Sequence, residues 1–459
     1  MTVILSNGGS LHNEQHRFVS RCSLTTLLVF SDVTGAPSCA RLIIIGAGII
    51  GLSIAVSLQR AGVQVVLLET DKAGGGASCG NAGHIAIEQV FPIADLAIVR
   101  QLPRMLLDPM GPLRLDWRYL AQIMPWLFKL LTNMRPARAE QIHQALLALN
   151  QQSLNAWQTF SQEWGLSQWI RIQGSLLLAE NPASVAGLQQ HGARLNAMGI
   201  ANNWLDTNAL REREPALAAN QLGALFYPQT GHVTNLNAMT GHLKTAFTQM
   251  GGQLYEGCKV LQAGVQDDHT VLLHTSSGQW CAKHVVVCAG AHSRPLVRQL
   301  TGVDVPLDTE RGYHLMLPNE TARLSVPVSS IDRRFIMTPM QEGLRLAGTV
   351  EFAGLQAPPN MQRAQQLLQL AQPMMNAPLD NSDATSWMGF RPSIADSLPV
   401  IDRQGPVLLA FGHQHLGLTQ AAVTAELVQA LYFNTEPGVD VRPYRLHRFH
   451  ASHQKGATQ

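Results

Sequence analysis

The hydrophobic pattern of the chain becomes regular only after residue 41. Residues 42–45 and 63–68 are short, continuous apolar runs, which are typical of strands buried on both faces of a sheet. Between them, residues 49–61 have the spacing of a buried helix, and Gly62 stands where helices commonly end. These elements predict a βαβ unit near the start of the regular pattern.

Strands and helices alternate irregularly over the rest of the chain. The pattern predicts a strand pair around a glycine turn at 170–178, a hairpin of 335–338 with 344–349, and a mainly helical stretch from 91 to 163. Further strands are predicted at 224–227, 285–288, 312–317 and 407–411, and helices at 183–198, 236–250 and 417–433. Buried strands of the parallel type thus recur at distant positions, with antiparallel material between them.

This arrangement predicts an α/β fold with a doubly wound, Rossmann-type domain that is discontinuous in sequence. A mixed or antiparallel β domain carrying helices is inserted into it. The expected nucleotide-binding segments are 41–90, 232–300 and 386–435, the expected substrate domain is 91–231 with 301–385, and 436–459 is a C-terminal tail.

The first forty residues differ from the rest of the chain. Residues 1–40 are mostly polar and contain one short apolar stretch, 24–30, with Arg17 and Arg21 before it. We expect a disordered extension without a function of its own. A signal peptide cleaved near the sequence APSCA is a weaker interpretation, because the apolar stretch is short, and an incorrectly assigned start codon is another.

Composition narrows the class of protein further. The chain has 459 residues, of which 46% are hydrophobic and 14% charged, and its formal net charge is +2. This balance excludes a disordered or fibrous protein, and without a long Lys/Arg run it does not indicate a nucleic-acid binder. The six cysteines are scattered without a CxxC pair, so neither a zinc site nor a disulfide framework is expected, which is typical of a reducing compartment. No apolar run is long enough to predict a transmembrane helix.

A glycine motif lies between the first predicted strand and helix. Gly46, Gly48 and Gly51 form GxGxxG, which allows a tight turn, close approach of a pyrophosphate and close packing of the helix on the strand. The amides of Ile49 and Ile50 stand in the first turn of the helix, where the dipole favours phosphate. A glycine-rich packing site is the alternative, but the ordered strand, motif, helix and strand favour a dinucleotide.

An acidic residue and a polar loop complete the nucleotide signature. Glu69 ends the second strand, where a carboxylate can accept both ribose hydroxyls, and an acid there disfavours NADP. The motif alone does not distinguish NAD from FAD. The following residues, KAGGGASCGNAGH at 72–84, are too polar and glycine-rich for a core element and can form an anion nest, with Ser78 and Asn81 as side-chain partners. A flexible surface loop is the alternative, but a second phosphate cradle favours FAD.

Further short motifs follow one another in order over nearly the whole chain after residue 41. Besides the opening IIIGAGIIG and LLE, they are ASCGNAGHI, QGSLLL, REREPAL, TGHV, VVVCAGAHS, ERGYHLML, LAGTVEFAG, GFRPSIADSLPVI and FGHQHLGLT. In this order they resemble the D-amino-acid oxidase family of FAD-dependent amine oxidoreductases, and most of all its bacterial D-amino-acid dehydrogenase branch.

The resemblance implies which residues contact the cofactor. FAD is expected without a covalent bond, because Cys79 and Cys258 do not match positions at which some relatives attach it. Residues 412–419 are expected to direct amides and a helix dipole at the flavin, which would stabilise its negative charge on reduction. The further implied contacts are Ser78, Asn81, Gly83, His84, Val260, Ala289, Gly290, Gly412, Gly417, Leu418 and Thr419.

The resemblance also implies a substrate site. Arg391, in the sequence GFRP, is expected to hold the substrate carboxylate through two parallel hydrogen bonds, for which a guanidinium is well shaped. A structural arginine paired with Asp396 is the alternative. Tyr313 and His314 alternate on a predicted strand, so only one of them can face the site. We predict that Tyr313 faces the site and that His314 faces away. His232 and His413 are not expected to contact the substrate directly.

These features together predict oxidative deamination of D-amino acids or of cyclic imino acids such as D-hydroxyproline, with hydride transfer to FAD and electrons passed to a quinone-type acceptor. The alternatives are an oxidase that uses O2 on glycine or sarcosine, an NAD-dependent dehydrogenase, and a flavin-binding protein with a structural or regulatory role. The Trp-, Leu- and Arg-rich stretch 114–131 indicates helices packed on a core or, alternatively, a helix at a membrane interface. We expect a cytoplasmic enzyme, in the second case at the inner face of the membrane.

Overall fold

A computed structural model describes residues 39–92 and 111–450. Almost all of the expected N-terminal extension lies outside the described residues, as do 93–110 and 451–459. The helices of the described part are Ile49–Arg60, Gly76–Cys79, Leu120–Asn133, Pro136–Trp164, Pro182–Ala197, Thr207–Arg213, Leu236–Gln249, Ser293–Thr301, Gln362–Ala371 and Ala421–Phe433.

The first sheet has eight strands and carries the nucleotide signature. Its path is β10-β2-β1-β13-β12-β11, and β20 adds to β13 with β19 beside it. Strands β1, β2, β10, β13 and β20 run parallel, whereas β11, β12 and β19 are antiparallel to their neighbours. The strands are β1 Ala40–Ile45, β2 Val65–Leu68, β10 Gln253–Tyr255, β11 Val260–Val265, β12 Val271–Thr275, β13 Gly278–Val287, β19 Val400–Gln404 and β20 Val407–Phe411.

The second sheet has nine strands and is mostly antiparallel. Its path is β18-β14-β17-β16-β15-β6-β8-β7, with β4 beside β17. Two pairs in it are parallel, β15 with β6 and β17 with β4, so the sheet is mixed. The strands are β4 Leu113–Leu115, β6 Ser175–Ala179, β7 Asn203–Asp206, β8 Gly223–Tyr227, β14 Leu307–Leu317, β15 Val328–Ser330, β16 Phe335–Met340, β17 Gly343–Phe352 and β18 Thr385–Ile394.

A small third sheet contains β3 (His84–Ile85), β9 (Gly231–Val233) and β5 (Ile170–Arg171), in the order β3-β9-β5. Strand β3 follows directly on the glycine-rich loop 72–84. The described part therefore has the predicted fold class, a doubly wound α/β sheet with a mixed, mostly antiparallel β sheet.

The core of the first sheet explains why its strands are so apolar. Helices Ile49–Arg60, Leu236–Gln249 and Ala421–Phe433 contribute fully buried side chains to the same cluster as β1 and β2. The other face of the sheet packs with the helix Ser293–Thr301. Strands covered on both faces need apolar side chains at every position, which is why periodicity alone located them.

Several local predictions are confirmed and others need correction. Strands β16 and β17 form the predicted hairpin, with Met340 opposite Gly343. Residues 170–178 do not form a strand pair, because β5 pairs with β9 while β6 pairs with β8 and β15. The last helix begins at Ala421 and not at 417, since 417–420 form turns.

Two chain segments pack against parts of the chain outside their own predicted segments. Strand β18 pairs along its length with β14 of the second sheet, whereas the sequence pattern predicts that 386–435 belongs to the nucleotide-binding domain. The tail is packed at least as far as Phe449, since Tyr444 is buried and its hydroxyl donates to Ala145 O, while Arg448 pairs with Asp396. Both contacts are long-range, so no local pattern indicates them.

One disulfide contradicts the expectation drawn from the cysteines. Cys39 and Cys281 are bonded across a sequence separation of 242 residues. The next residues, Ala40 and Ala282, are partners in the parallel pairing of β1 with β13, which brings the two cysteines side by side. Disulfides are unusual in reducing compartments. The cysteines of this chain therefore do not support the expectation of a reducing compartment.

Candidate active site

The glycine motif forms a turn that excludes side chains. Gly46 has a φ of +103°, and a Cβ on it would lie 2.5 Å from the carbonyl oxygen of Cys288. A Cβ on Gly51 would lie 1.9 Å from Gly46 O, so the helix packs directly on the turn. Ala289 lies against Gly46, and Gly290 beside it has a φ of +54°. These approaches leave space for backbone and ligand only.

The first turn of the helix Ile49–Arg60 presents free amide donors. Its N-cap, Gly48, has no side chain to cap it, and by helix geometry the amides of Ile50 and Gly51 have no intrahelical partner. The Ser78 hydroxyl accepts a hydrogen bond from Ile49 N at 2.9 Å, so the loop 72–84 lies at this helix end. Amides at a helix N-terminus are suited to a pyrophosphate.

Glu69 stands beside the same turn. Its Oε2 accepts from Ala47 N at 2.7 Å and its Oε1 from Asp71 N at 3.1 Å. Its carbonyl oxygen accepts from Cys258 N, which brings the start of β11, with Val260, to this end of the site. The structure therefore brings together the predicted acid, the predicted turn and Val260, one of the implied cofactor contacts.

The C-terminal segment 412–419 crosses next to the second sheet. Gly412 has a φ of +82°, and a Cβ there would lie 2.2 Å from the side chain of Ile394. Gln414 N donates to the carbonyl oxygen of Pro392, the residue that follows Arg391, so the segment passes beside the strand that carries this arginine. The hydroxyl of Thr419 accepts from Ala86 N at 2.9 Å, and Gly417 and Leu418 lie in the same stretch.

Arg345 anchors the glycine-rich loop to the second sheet. Its Nη1 donates to the carbonyl oxygens of Asn81, at 2.6 Å, and Cys79, at 3.2 Å. The ring of His314 bonds Gly80 O through Nδ1 at 2.9 Å. The ring of Trp387 covers Gly80 so closely that a Cβ there would lie 2.2 Å from it. Three side chains of the second sheet thus fix the loop that is expected to hold the cofactor.

The pairing of β14 with β18 defines the face that carries Arg391. Directly opposite partners are Glu310 with Arg391, Gly312 with Gly389 and His314 with Trp387. Opposite residues share a face of the sheet. A Cβ on Gly312 would lie 2.3 Å from the Arg391 guanidinium carbon, and one on Gly389 would lie 2.0 Å from the Trp387 ring. The two glycines therefore make room for two large planar side chains.

The guanidinium of Arg391 keeps donors available. Its one hydrogen bond among the described residues runs from Nη1 to Thr349 O at 3.2 Å. Asp396, the alternative partner, instead forms ion pairs with Arg448 and Arg138. Burial lowers the pKa of Arg391, and the neighbouring Glu310 opposes this shift. A guanidinium held by one backbone oxygen in a water-poor site is suited to binding a carboxylate.

Glu310 is a buried acid beside this arginine. Burial raises its pKa, while a 2.6 Å hydrogen bond from the Ser393 hydroxyl and the charge of Arg391 lower it. His415, an exposed residue near Arg391, lines the same cavity. Both are functional candidates that sequence reasoning missed. The period-two patterns Glu-x-Gly-x-His and Trp-x-Gly-x-Arg on the two strands were the available signal.

Tyr313 and His314 lie on opposite faces of β14, and of the two only Tyr313 contributes to the cavity wall. The strand register puts His314 on the face of Arg391 and turns the phenol of Tyr313 to the opposite face. There the Tyr313 hydroxyl donates to Glu351 Oε2 at 2.6 Å and accepts from Asn360 N at 3.1 Å. Tyr313 contributes to the cavity wall, but its hydroxyl is buried and bonded elsewhere. A single strand does not reveal which of its faces meets a site.

A cavity of about 380 Å³ joins these elements. Its wall includes Arg391, Glu310 and Trp387 from the second sheet, Gly80, Asn81 and His84 from the loop and β3, and Gln414 and His415 from the C-terminal segment. The predicted residues Ser78 and Gly83 lie in the same loop, and His413 is buried behind it, bonded to Thr424. This volume accommodates a small organic ligand.

These residues fit FAD. Gly46 and Gly51 have no space for a Cβ, the first amides of the helix have no intrahelical partner, and a second glycine-rich loop follows Glu69. The residues that would hold it are those of the turn, Glu69, the loop 78–84, Val260, 289–290 and 412–419. Among the described residues, no group of three or more His, Cys, Asp or Glu side chains could hold a metal ion.

Comparison with known proteins agrees with this geometry. A D-amino-acid oxidase from Bradyrhizobium diazoefficiens is 33% identical over 418 residues, covering 88% of this chain and 98% of the relative. A D-amino acid dehydrogenase from Sinorhizobium medicae is 27% identical and covers 89% and 100%. The crystal structure of glycine oxidase from Geobacillus kaustophilus has a TM-score of 0.70 at 21% identity, covering 89% and 98%, which supports the fold.

The family model described as "FAD dependent oxidoreductase" matches residues 41–431, which is nearly the whole described chain. The protein therefore belongs to the DAO family of FAD-dependent oxidoreductases, and it is a flavoprotein enzyme whose cofactor is FAD.

Proposed function

We propose that the enzyme oxidises D-amino acids, or cyclic imino acids such as D-hydroxyproline, to the corresponding imines. The observation that carries this proposal is Arg391, a half-buried cation in a cavity bordered by the loop and the C-terminal segment of the FAD site, with only one of its donors bonded to a described residue. The names of the relatives, a D-amino-acid oxidase and D-amino acid dehydrogenases, support the same substrate class.

The residues of this chain orient the substrate and exclude water. Arg391 binds the carboxylate through its fork, which fixes the direction of the α-carbon–hydrogen bond. The ring of Trp387 and the loop that it covers close one side of the cavity. Bound FAD supplies the hydride acceptor, and Arg345 and His314 hold the loop that positions it. The free imine then hydrolyses in water, or stays cyclic when the substrate is proline-like.

A substrate panel under anaerobic conditions tests this proposal. We expect D-amino acids or D-hydroxyproline to bleach the visible absorbance of the purified yellow protein, whereas the L-enantiomers and amines without a carboxylate do not. Glycine and sarcosine serve as comparison substrates. Bleaching by sarcosine or glycine alone would overturn the substrate class, while bleaching by none of them would overturn the function.

A glycine- or sarcosine-type oxidase that uses O2 is the second candidate. The 33% identical relative is named an oxidase, at higher identity than the dehydrogenase from Sinorhizobium medicae. The acceptor is tested by comparing reoxidation by air with reoxidation by a soluble quinone. We expect fast transfer to the quinone and slow formation of peroxide, and the opposite ratio would favour the oxidase.

An exposed apolar face supports a quinone acceptor at a lipid surface. Phe128 is 67% exposed and Trp117 is 56% exposed, with Met124 and Leu131 nearby. The opposite face of the helix Leu120–Asn133 is buried, and Trp126 donates to Ser393 O of β18, so this helix lies against the substrate strand. We infer that anionic lipid is the occupant, because Arg118, Lys129 and Arg135 accompany the apolar residues.

Vesicle sedimentation tests the lipid contact. Among residues 39–92 and 111–450, no helix is long and apolar enough to cross a membrane. We expect the protein to sediment with vesicles containing phosphatidylglycerol, and the double variant Trp117→Ser, Phe128→Ser to remain in the supernatant. Leu222→Ser, which removes an exposed apolar side chain just before β8, is the matched control. Equal sedimentation of all three proteins would contradict this contact.

A further inference from the structure

Four buried polar atoms that have no hydrogen-bond partner among residues 39–92 and 111–450 surround the beginning of the turn after β3. They are His84 Nε2, Glu88 Oε2, His232 Nδ1 and the hydroxyl of Tyr227. His84 and Glu88 are each 8% exposed, and the other two residues are less exposed. A folded protein rarely leaves buried polar atoms unpaired, and such clusters often hold ordered water or have a catalytic role.

The cluster is held in place by several independent contacts. His84 and His232 are opposite partners in the pairing of β3 with β9. The turn that carries Glu88 is fixed at one end by Ala86 N, which donates to Thr419 Oγ1, and at the other by Asn150 Nδ2, which donates to the carbonyl oxygen of residue 89. The unpaired atoms therefore belong to an ordered part of the site.

His84 connects this cluster to the substrate cavity. It contributes to the cavity wall, and its Nε2 lies 3.9 Å from Glu88 Oε1. That gap is too long for a direct hydrogen bond, and a small side-chain rotation or one bridging water would close it. A continuous route thus runs from the cavity through an imidazole to a buried carboxyl group.

In the described part of the chain, no lysine or arginine forms an ion pair with the Glu88 carboxyl group. Burial raises its pKa to about 8, and burial together with His232 lowers the pKa of His84 to about 3. His232, on β9, is kept neutral by burial and by Arg171, and the nearby Tyr227 phenol has a raised pKa. His143 bonds Val90 O at the far end of the turn. Glu88 can therefore gain or lose a proton near neutral pH.

We propose that Glu88, acting through the His84 ring, receives the proton that the substrate ammonium group must lose before oxidation. This inference rests on the proposed function. In the step, an N–H bond of the substrate breaks, its electron pair stays on nitrogen, and the proton ends on a carboxylate oxygen of Glu88. The neutral imidazole takes up one proton and gives one on, so it is unchanged. Glu88 later releases its proton to solvent.

The pH profile of FAD reduction tests the proposal on the FAD-loaded protein. The wild type, with the fastest substrate of the panel, should show a rate that rises with pH through about 8, because Glu88 accepts a proton only when it is ionised. In Glu88→Gln this rise should disappear, and the rate at pH 7 should fall by about a hundredfold, which is typical of a lost proton acceptor. Glu212→Gln, on a surface helix, is the matched control.

Infrared spectroscopy of the substrate-free, FAD-loaded protein gives a readout independent of activity. A carbonyl band of a protonated carboxylic acid should be present at pH 6.5, titrate near pH 8 and be absent from Glu88→Gln. Glu310→Gln identifies any band of the buried carboxyl group beside Arg391. A band lost in Glu88→Gln together with an unchanged pH profile would overturn the proposal, because the carboxyl would titrate without serving the reaction.

The proposal fails separately from the proposed function. If no panel substrate reduces FAD in the wild type, the proposed function is wrong whatever the infrared spectrum shows. If substrates reduce FAD and Glu88→Gln behaves as the wild type, only the role of Glu88 is wrong. Should Glu88→Gln not fold, His84→Asn interrupts the same route and should remove the same rise, and a retained rise in that variant would contradict the route.

Discussion

The glycine turn and the face that carries Arg391 serve the same site but are assembled in different ways. The turn lies within residues 46–51 of one βαβ unit, and its geometry follows from local backbone conformation. The Arg391 face draws on β14, β17, β18 and the segment 412–419, and its geometry follows from strand register. One site therefore combines a part that tolerates no side chain with a part that depends on two large ones.

Gly48→Val breaks the first region, and its effect should be the largest. A side chain at this position would stand at the N-terminus of the helix Ile49–Arg60, with its Cβ 3.2 Å from the Ser78 hydroxyl, where amides must approach a pyrophosphate. We expect a colourless protein, measured as loss of bound FAD by visible absorbance. Gly241→Ala, in a helix with open space around the position, should stay yellow. Full FAD loading of Gly48→Val would remove the turn from the cofactor site.

Arg391→Leu breaks the second region without touching the first. FAD should remain bound, while kcat/KM for D-amino acids falls by roughly two to four orders of magnitude, because losing a water-excluded carboxylate salt bridge costs about 3–5 kcal/mol. Arg391→Lys should recover only part of the lost kcat/KM, since an ammonium group cannot form the two parallel hydrogen bonds of a guanidinium. Near-normal kcat/KM in Arg391→Leu would mean that the carboxylate binds elsewhere.

The same contrast explains what could be predicted from the sequence. The turn, Glu69 and the loop 72–84 could be predicted, because strand periodicity and glycine spacing are local. Which of Tyr313 and His314 lies on the face of Arg391 could not be predicted. It depends on the register of β14 against β18 and on which face of the second sheet meets the loop. The Cys39–Cys281 disulfide and the anchoring by Arg345 likewise join positions far apart in the chain.

Arg345→Met tests the connection between the two regions. The variant loses the hydrogen bonds to Asn81 O and Cys79 O, and bonds to charged donors contribute about 1.5–3 kcal/mol each. We expect FAD to bind about tenfold to hundredfold more weakly, measured by fluorescence titration of the apoprotein. Arg333→Met, which loses an ion pair with Glu180 in the same sheet but touches no loop residue, should bind FAD normally. Equal FAD affinity in both variants would make the anchor structural only.

Tyr313→Phe should have the smallest effect on the reaction, because the hydroxyl lies on the face of the second sheet away from Arg391. The variant loses the bond to Glu351 and leaves a buried carboxylate with one partner fewer, so the free energy of unfolding should fall by about 1–3 kcal/mol in urea titration. We expect kcat/KM to change by less than about threefold, or ~0.7 kcal/mol.

The adjacent residue supplies the contrasting control. His314→Gln alters the side chain that bonds Gly80 O and stacks on Trp387, so FAD affinity should fall although its neighbour's substitution leaves it unchanged. The two variants differ by one position on one strand and therefore separate the two faces directly. Tyr313→Phe could instead reduce kcat/KM strongly while His314→Gln leaves FAD binding intact. That result would contradict the face of β14 that meets the loop in this structure. Consecutive residues of a strand exchange faces only when its register shifts by one residue.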